Sequence, residues 1–206
     1  MRILLEMQAE NARSSDLSPH GIRLQALGSL ILHGASRPVG LRGLELLILL
    51  MIKPDGWYPD GLAEALYGKL SLSCLKAAIS RLRHELRLSI TRPPYLLVNK
   101  IPADFLELED CLARGDFWKA LELYKGPLAP QSQAPGIIEH RNYLEEALKN
   151  TLLKQEDDLE LLVNLATHFP DDLALLEEVL ERLPDDHRSR PFLLARMDLL
   201  RGEFYA

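Results

Sequence analysis

Apolar and polar positions change their period twice along this chain. From Ile22 to Leu41 the apolar residues come in short runs, Ile22–Leu27, Leu30–His33 and Pro38–Leu41, separated by Gly28, Gly34 and Gly40. Short β-compatible runs punctuated by glycine predict a small antiparallel sheet. From Gly43 to Lys53 the chain is almost wholly apolar, which predicts a helix buried over most of its circumference and ended by Pro54-Asp55-Gly56. Asp60 is placed to cap a short helix over Gly61–Tyr67, closed by Gly68. A third helix opens at Ser71 or Ser73. At about 100° per residue its Leu75, Ile79, Leu82 and Leu86 form one narrow stripe, while Ser73, Lys76, Ala77, Ser80, His84 and Arg87 point away from it. After it, Leu88–Thr91 and Tyr95–Asn99 flank Arg92-Pro93-Pro94, a connection of hairpin size.

A sheet, three helices and a hairpin, in that order, make a winged helix-turn-helix, so residues 22–101 are expected to be an α+β domain of that kind. Ahead of it, residues 1–10 suit a short helix, and 10–21, polar and broken by Pro19 and Gly21, read as a tail or linker. Beyond Pro102 the period is helical throughout: Ala103–Arg114, Phe117–Lys125, Ile137–Gln155 and three shorter segments carry apolar residues at helical spacing with acids between them. Leu123, Tyr124, Leu144, Leu148 and Leu152 read there as packing core. The final part repeats. Asp157-Asp158-Leu159 recurs as Asp171-Asp172-Leu173, and Asp185-Asp186 marks a third start, with Pro170 and Pro184 immediately before the second and third Asp pairs. Proline stops one helix and aspartate caps the next, so each unit is one short helix and a turn. Helices of that length must stack on neighbours to bury enough surface. Residues 102–206 are therefore expected to be an all-α domain.

Charge changes the picture. The chain of 206 residues is 47% hydrophobic and carries a formal net charge of −6, which taken alone argues against a polyanionic partner. The sum hides a split: residues 1–103 hold 13 Lys and Arg against 8 Asp and Glu, net +5, and residues 104–206 hold 11 against 22, net −11. Within 69–92, Lys69, Lys76, Arg81, Arg83, Arg87 and Arg92 face Glu85 alone. A basic N-terminal half suits a polyanion. The acidic half would be repelled from one and left to meet a protein or a second copy of the chain.

Other chemistry is thin. Cys74 and Cys111, with no CxxC and no nearby His pair, supply neither a disulfide framework nor a zinc site, and both read as small buried or half-buried hydrophobes. There is no phosphate-binding GxxxxGK[ST] loop, no HExxH and no GxSxG, and paired acids such as Glu145-Glu146 and Glu177-Glu178 splay around a helix. Neither an enzyme nor a cofactor is expected. No apolar run approaches the roughly 20 residues of a membrane span, and Met1–Glu10 lacks a secretory signature, so a cytoplasmic protein without membrane contact is expected.

These readings converge on the third helix as a DNA recognition helix. Ser73, Lys76, Ser80 and His84 are the groove-facing candidates, and Ala77 is small enough to let the helix approach or to touch a thymine methyl. Arg81 and Arg83, on the flanks, are read as phosphate contacts, as are Arg37 and Arg42. Arg87 shares the outer face. Arg92, at the hairpin, suits the adjacent minor groove, or is an exposed loop arginine with no role. A helical-repeat adaptor whose winged helix binds protein is the competing reading.

The stretch Leu46–Leu86, with Ser80-Arg81-Leu82-Arg83 as its most specific element, resembles the OmpR-type winged-helix domain of the antibiotic-regulatory-protein class of bacterial transcriptional activators. Asp104–Leu148 is similar to the start of that class's bacterial transcriptional activation domain, on Arg114-Gly115-Asp116, Ala120, Leu123-Tyr124-Lys125-Gly126-Pro127-Leu128 and Arg141-Asn142-Tyr143-Leu144. Together the likeness spans Ile22 to Leu153. It implies a tetratricopeptide-like second domain, binding to direct-repeat promoter DNA and recruitment of RNA polymerase, with Tyr67–Leu70 as the polymerase-contacting loop. The chain departs from the family at the hairpin, where Pro94-Tyr95 replaces the usual Gly-Tyr, and at Tyr67, where the family usually has Trp.

Overall fold

The computed structural model describes residues 21–155 and 158–204, so the expected tail and Asp157 of the first repeat lie outside the described residues. β1 (Arg23–Gln25) pairs antiparallel with β2 (Ile31–His33) in the register Leu24 to Leu32. The turn between them needs Gly28, at φ +74°, where a Cβ would lie 2.4 Å from the Lys125 carbonyl oxygen. Pro38–Leu41 is not a strand. The Gly40 carbonyl accepts from the N–H groups of Gly43 and Leu44, so this run opens the next helix, and Pro38 has no N–H to give a ladder. The other edge of β1 pairs instead with distant chain. Leu24 N–H donates to the Pro102 carbonyl at 2.9 Å, and the buried Asp104 carboxylate accepts from the N–H groups of Ala26 and Leu27 at 2.8–3.0 Å.

Helix α1 (Leu41–Ile52) is buried from Leu44 through Leu50. Helix α2 (Pro59–Tyr67) has Pro59 in its first turn and Gly68 as a left-handed C-cap. Tyr58, not Asp60, takes its N-cap position, because the rigid φ of proline already sets the first helical residue; Asp60 lies inside that turn. Helix α3 (Leu72–Leu86) starts at Ser71, with no side-chain bond to its free N–H groups, and ends at Arg87, a non-glycine residue in the left-handed region. The segments after it meet antiparallel at Ile90 and Leu97, with Thr91 N–H to the Leu96 carbonyl at 3.0 Å and Val98 N–H to the Ser89 carbonyl at 2.9 Å. Trp57 adds a third short segment, exchanging two backbone hydrogen bonds with Tyr95 at 2.9 and 2.7 Å.

Six further helices follow among the described residues: α4 (Asp104–Arg114), α5 (Phe117–Leu123), α6 (Pro135–Leu152), α7 (Leu159–His168), α8 (Leu173–Arg182) and α9 (Arg190–Phe204). In the repeat, Asp158 and Asp172 accept from the N–H groups of Leu161 and Leu175, capping α7 and α8. The third unit departs from the pattern. Asp185 stays fully exposed and α9 begins only at Arg190, where Pro191 suits a first turn and the Arg190 guanidinium donates to the carbonyls of Leu180, in α8, and of Leu183, just beyond it. The described chain is thus mostly helical with one small antiparallel sheet, and no described helix is long and apolar enough to cross a membrane.

One buried core runs from Ile22 to Leu200 and crosses the expected 101/102 boundary. α2 and α6 lie so close that a Cβ on Gly136 would come within 2.8 Å of both Ala65 and Leu49. Beside that contact the fully buried Glu45 accepts from the Ser132 hydroxyl at 2.6 Å and pairs with Arg42 at 2.9 Å. Arg141 in turn donates to the carbonyls of Leu128, Ala129 and Ser132. A buried carboxylate is tolerated only when matched this way.

Candidate nucleic-acid interface

α3 packs chiefly on α1 and α2. Leu75, Ile79, Leu82 and Leu86 are 0–3% exposed, and Ala78 joins them, so the predicted stripe is the buried one. The opposite side is bare: Ser73, Lys76, Ala77, Ser80, Arg81, His84 and Arg87 are all exposed. The acidic helices do not cover Lys76, Ser80 or His84. Arg92 stands exposed at the hairpin turn, which is closed by the Thr91 hydroxyl donating to the Pro94 carbonyl at 2.5 Å and accepting from Leu96 N–H at 2.9 Å.

The cations divide by engagement. Among the described residues, Lys69, Lys76, Arg81, Arg87 and Arg92 are exposed and not ion-paired. By contrast, Arg182, Arg188, Arg196 and Arg201 on and between the late helices each hold an aspartate or glutamate. Exposed cations that hold no acid keep their field available to an anion.

Two residues expected to grip phosphate are engaged by other groups of the protein, Arg83 half-buried and Arg42 with its side chain 51% exposed. Arg83 is half-buried, and one guanidinium nitrogen donates to the carbonyls of Ile90 and Thr91 at 2.5 and 2.8 Å, which ties the hairpin to α3. Arg42 donates to the Leu66 carbonyl at 2.7 Å, pairs with Glu45 and lies over the Tyr67 ring at 5.4 Å. Arg37 is exposed. Burial, and after it the neighbouring Cys74, raise the Tyr67 phenol pKa, with Arg42 and Arg81 pulling the other way.

Cys74 is exposed on α3, against the expectation of a buried thiol, because it falls one residue before the apolar stripe begins. Cys111 is buried as expected. Lys69, in the α2–α3 turn, belongs with the free cations; its signal in the sequence was the basic excess over 69–92. Leu70 and Leu72 beside it are exposed apolar residues. Those two carry no periodic signal, because they sit where a turn becomes a helix.

The chain matches no protein-family profile. It is 33% identical over 147 residues to an uncharacterized 47.3 kDa protein in the thcA 5' region of Rhodococcus erythropolis, over 68% of this chain and 34% of that protein. The chain thus spans about a third of the relative's length.

Proposed function

We propose that the protein is a sequence-specific DNA-binding transcriptional regulator of the winged helix-turn-helix kind, an activator of the antibiotic-regulatory-protein class. In this reading α3 enters the major groove, with Ser73, Lys76, Ala77, Ser80 and His84 toward base edges and Arg81, Arg87 and Lys69 toward phosphates. Arg83 acts through the hairpin, whose position it holds and which carries Arg92 to the next minor groove. The helices beyond residue 102 meet protein partners, RNA polymerase or a second copy of the chain.

One observation carries the proposal: the outward face of α3 is exposed, small or cationic, and unpaired, while its inward face is closed in the core. The antiparallel pairing of Ile90 with Leu97 beyond α3, and of Tyr95 with Trp57, supports it, since a winged helix needs a hairpin at that point of the chain.

Titration with genomic DNA fragments over a salt series tests it. Lys76→Ala and Arg81→Ala are each expected to cost roughly 1–3 kcal/mol of DNA affinity with the melting temperature unchanged, and each lost phosphate contact flattens the log–log salt slope by about one. Unchanged affinity in both variants removes α3 as the binding element. Failure of the parent protein to bind any fragment at moderate salt favours the protein-adaptor reading.

A further inference from the structure

Where the end of α1, the return segment of the hairpin and α4 meet, the surface holds an open cleft of about 500 Å³. That volume is in the range of small-ligand sites. Its apolar lining comes from three segments far apart in sequence: Leu50 and Met51 on α1, Leu97 and Ile101 on the hairpin's return and its exit, and Leu106 on α4. Leu50 and Ile101 are buried, whereas Met51, Leu97 and Leu106 are half-buried and keep part of their apolar surface in contact with solvent. No aromatic ring is among the described residues that line it. The polar lining is as restricted. Asn99 Oδ1 accepts from the Ser89 N–H at 2.7 Å, which leaves the amide nitrogen to donate, and Lys100 carries the only charge among the lining residues.

These groups select an occupant. Aliphatic walls without a ring favour an alkyl body over a flat aromatic one, and Met51, unbranched and polarisable, adapts to its shape. Donors with no carboxylate beside them disfavour a cation and favour an anionic head. An ammonium has three N–H donors, so Lys100 can meet a ligand oxygen while keeping the interaction it already has within the protein. A second cleft near the end of α1 offers less. It is lined by Trp57, Glu109, Glu139 and His140, but Lys53 already covers the Trp57 ring at 4.5 Å, and His140 Nε2 is buried facing Glu109 at 3.4 Å.

We propose that the first cleft binds a medium-chain aliphatic carboxylate, its alkyl chain on Met51, Leu97 and Leu106 over the buried Leu50 and Ile101, and its carboxylate at the Lys100 ammonium. Burial of the chain drives binding, by about fourfold in affinity for each fully buried methylene and by less in a cleft open on one side. The Lys100 charge sets the sign of the head. Because Leu97 pairs with Ile90 across the hairpin, a bound chain would tie the hairpin to α1 and α4. Any effect of that tie on DNA affinity rests on the function proposed above, whereas binding itself does not.

Isothermal titration calorimetry of the full chain with sodium hexanoate, octanoate and decanoate, each below its micelle concentration, reads the site without DNA. Octylammonium chloride and sodium acetate at matched ionic strength are the controls. Saturable one-to-one binding is expected, tightening roughly two- to fourfold per added methylene, with no saturable heat from acetate and at least tenfold weaker binding of octylammonium than of octanoate. Lys100→Gln should weaken octanoate at least fivefold. In the parent protein the methyl resonances of Met51 and Leu106 should shift with octanoate in step with the heat. No saturable heat from decanoate, octylammonium binding as tightly as octanoate, or unchanged octanoate affinity in folded Lys100→Gln overturns the proposal. Should Lys100→Gln fail to fold, the methyl shifts decide, since saturable octanoate binding that leaves Met51 and Leu106 unmoved puts the ligand elsewhere and overturns it as well. Octanoate binding in a protein that binds no DNA fragment would refute the function proposed above and leave this site standing.

Discussion

His140 shows how one side chain sets a pH response. In an unfolded chain an imidazole takes up its proton near 6.5, whereas burial lowers the folded value to about 4. Between those values the unfolded state binds more protons, so the native state loses stability as the pH falls from about 6.5 to about 4 and keeps it above that window. Glu109 acts with the opposite sign. Its raised folded pKa means that the native carboxyl binds a proton first, which stabilises the fold as the pH drops through that value. Asp110 on α4 adds its field to the Glu109 shift, and Glu139 on α6 and Lys53, just past the end of α1, line the same cleft as Glu109 and His140. A Glu109→Gln background isolates the imidazole. There, His140→Phe is expected to remove roughly 2 kcal/mol of acid-induced destabilisation over that window, allowing for the part of the ring open to solvent. Denaturant melts at stepped pH measure it, and parallel stability curves for the two proteins would contradict the desolvation account.

At the scale of elements, the short late helices depend on their caps. α8 is 10 residues long, and Asp172 both accepts from Leu175 N–H and pairs with Lys149 of α6 at 3.0 Å. Burial opposes the charge, but the Leu175 hydrogen bond and Lys149 outweigh it and hold the carboxyl below its usual range. Its stabilisation is thus present above about 3.8, the ordinary carboxylate value, and lost as the pH falls through the lower folded value. Asp172→Ala is expected to cost about 1–2 kcal/mol near neutrality, read by urea unfolding, with the deficit shrinking in acid. The 14-residue spacing of the Asp pairs announced α7 and α8, because a cap is a local interaction. It misplaced α9, whose start is decided by Pro191 and by Arg190 reaching back to α8. Arg83 makes the same point on α3: its position on the flank was legible, whereas its grip on the hairpin carbonyls arises only when residues 90 and 91 fold back.

Across the whole molecule the basic and acidic halves share one core, so the setting of α3 relative to the later helices is fixed by packing. The tightest contact is at Gly136, whose hydrogen is all that separates α6 from Ala65 and Leu49. Gly136→Val is expected to destabilise the protein by roughly 1–3 kcal/mol through overpacking, in a single cooperative transition that lowers the stability of both halves together. Thermal melts followed at Trp57, in the early part, and Trp118, in the later part, should move in parallel. Separate transitions at the two probes would show that the halves are energetically independent.

Patterning in the chain alone determined which side of α3 is buried, where α1 to α3 lie, the hairpin after them, and the charge split, because each depends on helical period, turn residues or a count of charges. Tertiary structure decided the rest. The second edge of β1 is paired by residues 102–104, some 80 positions away, and the expected strand at Pro38–Leu41 gave way to a helix start. Which arginines remain free for an anion, and the meeting of Trp57, Glu109 and His140 in one cleft, depend on contacts between segments far apart in sequence. No local period encodes such meetings, since they exist only once the apolar faces have found one another.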